Sequence, residues 1–189
     1  HTISRRQRQM CIRDSLFLVM ATQNPIEQEG TYTLPEAQMD RFLLHVKVDY
    51  PAAGSERKIL DLSREEQNLN FKSFEKPLTQ LELDKARKSV RAVHMSEQVE
   101  EYLVQIVLAT RNSDKYGGDL NNWLEYGASP RATIALDVCS KALAWLNNKD
   151  FVSPDDIRSV AHDILRHRII LSFEAEANGV SSDQVIDAV

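Results

Sequence analysis

The 189-residue chain carries 42% hydrophobic and 27% charged residues, an ordinary globular composition with enough length for a full core. Its 23 Lys and Arg against 28 Asp and Glu leave a formal net charge of -5. That balance argues against a dedicated nucleic-acid binder, since neutralising phosphate needs clustered cations. Two cysteines are too few for a disulfide framework and suit a reducing, cytoplasmic setting, and no apolar run approaches the length that spans a bilayer.

Residues 1–15, with Arg5, Arg6, Arg8 and Arg13, show neither apolar periodicity nor turn chemistry and run into a strand pattern without a linker. The stretch looks like translated sequencing-adapter sequence, with a basic disordered tail as the alternative. It is expected to be non-native, with the true upstream protein missing, and is set aside from the fold reading. Leu16-Phe17-Leu18-Val19-Met20-Ala21 is apolar on both faces, as suits a strand buried between layers of a parallel α/β sheet, and Asn24-Pro25 ends it. Pro35-Glu36-Ala37-Gln38-Met39-Asp40 reads as a short helix opened by proline. Phe42-Leu43-Leu44-His45-Val46-Lys47-Val48 reads as a second strand, closed by Tyr50-Pro51. Two buried strands do not make a sheet alone, so this portion needs partners it does not contain.

From Ser55 onward the pattern turns helical. Thr79-Gln80-Leu81-Glu82 has the form of a capping box. Val99, Leu103, Ile106 and Val107 recur at helical spacing, as do Ala135, Val138, Cys139, Ala142 and Leu146, and then Ile157, Val160, Ala161, Ile164 and Leu165. Ser153-Pro154-Asp155-Asp156 supplies a cap, a first-turn proline and two acids. The expected fold class is an α/β remnant over residues 16–52 followed by an all-helical domain over 53–189.

Three places invite chemistry, each with an ordinary alternative. Asn24 lies just past the end of a buried strand, the edge where open α/β sheets bind ligands, although Asn-Pro is also a common turn former. Arg41 sits where a short helix meets a strand, a fixed base from which a guanidinium reaches phosphate reproducibly; the alternative is a surface ion pair with Asp40 or Glu36. In Gly127-Ala128-Ser129-Pro130-Arg131, Ser129 is a natural cap and Pro130 a natural first helical residue, so Arg131 falls in the first turn. A cation there opposes the helix dipole at a cost of about 0.3–1 kcal/mol, and a phosphate bound at that end would reverse the sign. The alternative is a solvated arginine reaching Glu125 or Asp137.

The other candidates are weaker. His94, His162 and His167 share no metal-ligand spacing and read as packed or solvated. Trp123 and Trp145 read as packing in or beside the core, Cys139 as core, and Asp155 and Asp156 as helix-start residues; no metal site is expected. None of the six glycines precedes a lysine, so there is no phosphate-cradling G-x-x-x-x-G-K-[ST] loop, and no apolar strand ends in an Asp-Glu pair for magnesium. The chain alone is expected to be inactive as an NTPase.

Taken together, Leu18-Val19-Met20-Ala21-Thr22-Gln23-Asn24-Pro25-Ile26-Glu27-Gln28-Glu29-Gly30-Thr31-Tyr32 and Leu34-Pro35-Glu36-Ala37-Gln38-Met39-Asp40-Arg41-Phe42 resemble the MoxR family of AAA+ ATPases. So do Gly127-Ala128-Ser129-Pro130-Arg131-Ala132, Val152-Ser153-Pro154-Asp155-Asp156-Ile157 and Leu165-Arg166-His167-Arg168-Ile169. The resemblance implies the end of a P-loop core, then a helical lid. It implies that Asn24 is sensor 1, which reads the γ-phosphate; that Arg41 is the arginine finger serving a neighbouring subunit, with Glu36 near enough to orient it; and that Arg131 is sensor 2, in cis or in trans. For the parent protein it implies ATP and Mg2+, a hexameric ring, remodelling or maturation of client proteins, and a von Willebrand factor A domain partner. Two other classes stand beside it: a DNA-acting AAA+ motor of the MCM kind, which the acidic balance disfavours, and a non-enzymatic helical interaction module.

Overall fold

The computed structural model describes residues 18–23, 34–67, 78–117 and 119–189. The basic stretch at the start of the chain and the sensor-1 candidate Asn24 lie outside the described residues. Pro35–Val189 form one compact unit, and of the preceding unit, His1–Leu34, only residues 18–23 and Leu34 are described. There, Leu18–Ala21 carries no strand pairing, and Leu18 and Met20 are 80% and 82% exposed. The expected buried strand is not formed in that stretch. A strand apolar on both faces is stable only when neighbours take its backbone groups and cover both sides.

The compact unit opens with helix α1 (Glu36–Met39), a single turn entered through Pro35. Helix α2 (Ala53–Gln67) keeps Ile59, Leu60 and Leu62 half-exposed. Helix α3 (Gln80–Ala92) begins with the expected capping box: the Glu82 backbone N–H donates to Thr79 Oγ1, and the Thr79 backbone N–H donates to Glu82 Oε2. Helix α4 (Glu97–Arg111) is capped by Ser96 and leads through a 3-10 turn (Ser113–Lys115) to the short helix α5 (Leu120–Trp123). Strand β1 (Leu124–Tyr126) precedes the longest helix, α6 (Pro130–Leu146), and Ser153 starts α7 (Pro154–Leu165). Strand β2 (Ile170–Leu171) pairs antiparallel with β1, and helices α8 (Phe173–Ala177) and α9 (Ser182–Ala188) follow. The result is mostly helical, the end of an α/β core followed by a helical lid.

The core lies where α4, α6 and α7 meet. Leu136, Ile157, Ile164 and Leu165 are fully buried, each contributing roughly 1.5–3 kcal/mol of hydrophobic stabilisation. Alanines set the packing face of α6: Ala132, Ala135 and Ala144 are at most 2% exposed and let α7 approach closely. Val138 and Leu146, expected in the core by their spacing, are instead 46% and 68% exposed, and Trp145 is also exposed. The buried stripe runs through Ala132, Ala135, Leu136, Cys139 and Ala144 and is rotated away from Val138 and Leu146. The start of α7 follows the sequence reading, with both the N–H and the hydroxyl of Ser153 donating to Asp156 Oδ2, at 2.9 and 2.7 Å.

The second expected strand is likewise absent: Phe42–Val48 has no ladder. Its backbone groups are satisfied differently. Side chains of Arg166, His167 and Arg168 take the carbonyls of His45, Phe42 and Leu43, and the His45 N–H donates to the Asp163 carbonyl at 2.7 Å. Polar side chains from the end of α7 replace a neighbouring strand.

Gly127 faces the end of α4 so closely that a Cβ would stand 2.2 Å from the carbonyl oxygen of Thr110 and 2.8 Å from the Arg111 nitrogen. Both are backbone atoms and cannot swing away. Gly127→Ala is therefore expected to destabilise the chain by about 1–3 kcal/mol. Gly54→Ala, in open space within α2, is expected to be neutral or slightly stabilising. Thermal unfolding midpoints of the two variants check this, and equal midpoints would contradict it.

Candidate functional site

The start of α6 is built from backbone inward. Thr110, buried at the end of α4, accepts from the Ala128 N–H at 3.0 Å, and Arg111 Nε donates to the Ala128 carbonyl at 2.6 Å. With Gly127 pressed on Thr110, these bonds fix the loop that delivers Ser129. Its hydroxyl oxygen accepts from the Arg131 N–H at 3.2 Å, the expected cap.

The same hydroxyl donates to the carboxylate of Asp40, with oxygen separations of 2.8 and 3.0 Å. Arg131 Nη1 meets Asp40 Oδ2 at 2.7 Å, and Arg168 Nε lies 3.3 Å from Oδ1. One carboxylate thus gathers a cap and two guanidinium groups, one from the start of α6 and one from the segment after α7. Burial alone would raise the Asp40 pKa, but the bonds from Arg131 and Ser129 and the charge of Arg168 outweigh it and hold the carboxyl below its ordinary value. The anion at this helix start is therefore Asp40 itself. The cation in the first turn of α6, unfavourable by the dipole argument, is balanced by that carboxylate. Neither Glu125 nor Asp137 serves Arg131; Asp137 pairs with Lys141 at 2.7 Å.

Arg131 remains 55% exposed along its side chain, whereas Arg168 is 2% exposed. Arg168 spends its donors on the turn after α1: Nη2 on the carbonyls of Phe42 and Asp40, Nη1 on those of Leu43 and Ile164. Arg166 is held by Asp163 at 3.0 Å and Asp183 at 2.6 Å and donates to the His45 carbonyl at 2.8 Å; Lys47 completes the pairing with Asp183.

Between Asp40 and Phe42, both engaged, Arg41 points outward. Its side chain makes no hydrogen bond or ion pair with the described residues, so the surface pairs with Asp40 or Glu36 open to it in the sequence are not made. A cleft of about 340 Å³ opens beside the cluster, lined in part by Glu36, Asp40, Ser129, His167, Arg168 and Glu176. Arg166 and Arg168 line it alongside three carboxylates, and Arg41 and Arg131 are not among its lining residues. Among the described residues no group of three or more acidic, His or Cys side chains is arranged to hold a metal ion, and no helix is long and apolar enough to cross a membrane.

Known proteins resemble this chain over most of its length. The family model of the AAA lid domain matches residues 121–189, and that of the ATPase family associated with various cellular activities matches residues 1–44. Chaperone MoxR1 of Mycobacterium tuberculosis is 38% identical over 93% of this chain and 46% of its own length. Protein MoxR of Paracoccus denitrificans is 31% identical over 82% of this chain and 48% of its own. A solved structure of a candidate ATPase from Cytophaga hutchinsonii superposes with a TM-score of 0.83 at 46% identity, over 90% of this chain and 52% of that one. The chain belongs to the MoxR family of AAA+ ATPases. It spans about half the length of the MoxR relatives it matches.

Of the residues singled out in the sequence, Arg41 and Arg131 leave one cluster, joined through Asp40, while Asn24 lies outside the described residues. Glu36 lines the cleft without a described bond to Arg41. Asp40, Arg166 and Arg168 carry the geometry and had no assigned role. Cations after a helix C-terminus are explained locally by the dipole, so only the fold reveals their distant partners.

His167 is half-buried, its Nε2 3.2 Å from the Phe42 carbonyl, to which it donates. Burial and the neighbouring Arg168 push its pKa from the usual 6.5 to about 4, and burial with Arg166 lowers that of His45, whose ring stands 5.7 Å away edge-on. The unfolded chain binds the proton more readily, so stability is full above pH 6.5 and is lost as pH falls towards 4. After discounting for partial exposure, His167 accounts for about 1–2 kcal/mol of that loss. Denaturation midpoints between pH 7.5 and 4.5 are expected to fall for the native chain and to fall less steeply for His167→Gln. Parallel slopes would exclude His167 as the titrating group.

Proposed function

We propose that this chain supplies the phosphate-contacting and lid portion of a MoxR-type ring ATPase, in which Arg41 acts on nucleotide held by a neighbouring subunit and Arg131 on nucleotide at the lid. What supports the reading is that both arginines spring from one fixed cluster around Asp40, exposed and directed to solvent, while Arg168 immobilises the turn beneath Arg41. Phosphoryl transfer asks a protein for positioned positive charge more than for covalent chemistry. A guanidinium on a rigid base meets that demand because little reorganisation is left at the moment of reaction.

Arg131 differs from Arg41 in having a partner already. Its bond to Asp40 is half-exposed, and such pairs contribute about 0–1 kcal/mol. Asp40 keeps Ser129 and Arg168 if Arg131 leaves, so no buried carboxylate is stranded. Arg131 is thus free to exchange its carboxylate for phosphate at small cost.

In the whole protein, ATP and Mg2+ would be gripped by parts outside this chain, with Asn24 as sensor 1. The further proposals are a hexameric ring that couples hydrolysis to remodelling or maturation of a client protein, and a von Willebrand factor A domain partner.

Mixed rings of the full-length protein test the roles. A subunit whose P-loop lysine is replaced cannot hydrolyse but still offers its own Arg41 to a neighbour. Mixing it with Arg41→Ala subunits that keep an intact P-loop is expected to restore hydrolysis neither homogeneous ring shows, because each intact site then receives the finger of a P-loop-deficient neighbour. Arg41→Ala alone is expected to lower kcat by about 10³-fold, with ATP affinity little changed. Hydrolysis in the mixture no higher than the sum of the two homogeneous rings would remove the in-trans finger assignment. Arg131→Ala that leaves both ATP affinity and kcat intact would remove the sensor assignment.

A further inference from the structure

We propose that Arg168 is the positioning residue of the arginine finger: its buried guanidinium sets the backbone turn from which Arg41 reaches a neighbouring nucleotide. The proposal rests on the reading of Arg41 given above. It rests equally on an unusual division of donors.

A guanidinium has five N–H groups, and burial obliges each to find an acceptor. At Arg168, 2% exposed, four hydrogen bonds go to carbonyls: Asp40 and Phe42 from Nη2, Leu43 and Ile164 from Nη1. The fifth donor, Nε, makes no hydrogen bond and is met only by the charge of the Asp40 carboxylate, at 3.3 Å. Three of the four carbonyls belong to the turn that contains Arg41, and they flank it on both sides. On the helix side, the Arg41 N–H donates to Gln38 at 3.1 Å and the Phe42 N–H to Met39 at 3.0 Å. The backbone at Arg41 is therefore bonded from both directions while its side chain is not.

Among the described residues no other side chain bonds the backbone on both sides of Arg41. Phe42–Val48 has no strand ladder, so regular sheet bonding does not set the course of the turn. His167 adds a bond to Phe42, but Arg168 alone spans Asp40, Phe42 and Leu43. A lysine at this position would keep the charge and lose the fork: three donors on one atom do not reach carbonyls spread across a turn. The finger would then leave from a looser base. Misplacing a reacting group by about 1 Å costs on the order of 10²-fold in rate.

The full-length protein separates a positioning role from a merely structural one. Thermal melting first establishes that each variant is folded at the assay temperature. Arg168→Lys is expected to lower kcat for ATP hydrolysis by about 10- to 100-fold while the ATP Kd stays within about twofold of wild type. In a double-mutant cycle, Arg41→Ala with Arg168→Lys is expected to be no slower than Arg41→Ala alone, because the second change acts through a side chain already removed. A folded Arg168→Lys protein with wild-type kcat, or losses that multiply in the double variant, would overturn the proposal. If Arg168→Lys does not fold, Arg168→Gln, which keeps two amide donors without the charge, is judged by the same two outcomes. Full kcat in Arg41→Ala by itself would remove the finger reading, and this proposal with it; a loss there with no effect of Arg168→Lys overturns this proposal alone.

Discussion

A buried charge dictates its surroundings more strictly than a buried methyl group does. Arg168 sits inside the helical unit, and an apolar residue of similar volume would fill its space with no demand for acceptors. The guanidinium draws in the Asp40 side chain and the carbonyls of Asp40, Phe42 and Leu43, and so brings the end of the α/β portion onto the lid. Desolvation lowers the pKa of Arg168 and Asp40 pushes it back up, so arginine and aspartate hold each other in their charged forms. Everything else at the site hangs on that pair: the seat of Ser129, the partner of Arg131 and the aim of Arg41.

The arginines here divide by exposure, and the division follows chemistry. Arg166 and Arg168 are shielded, bonded to carboxylates and carbonyls, and act on the chain itself. Arg41 and Arg131 are exposed, and the one has no described side-chain partner while the other has a partner it can release. A planar fork of donors serves both uses, binding backbone oxygens in one place and free to meet phosphate oxygens in another.

Much of the helical portion was legible in the sequence because its signals are local. The capping boxes at Thr79 and Ser153, the cap at Ser129 and the proline at Pro130 depend on neighbours within four residues and form as read. The apolar stripe of α7 was equally plain. On α6 the stripe drawn through Val138 and Leu146 is rotated from the buried face, which takes in Ala132, Leu136 and Ala144, because a helix rich in apolar residues offers more than one stripe at the same spacing. The strands failed for a different reason. Apolar runs at Leu18–Ala21 and Phe42–Val48 state a preference, but pairing belongs to whatever lies alongside, and beside Phe42–Val48 stand Arg166, His167 and Arg168. The site was half legible: Arg41 and Arg131 stood out by position, while Asp40, which joins them, looked like an ordinary helix-end acid.

The bonds that assemble this cluster link residues far apart along the chain. Asp40 and Arg131 are separated by 91 positions, and Phe42 and Arg168 by 126, whereas the caps and the turns of α6 and α7 close over two to four. Loop-closure entropy must be met before a distant contact returns any free energy, and its cost grows with the length of chain enclosed. The helices consequently form ahead of the turn that bears Arg41. On that argument the helical scaffold comes first and the cluster around Asp40 last, docked onto a surface that already exists to receive it.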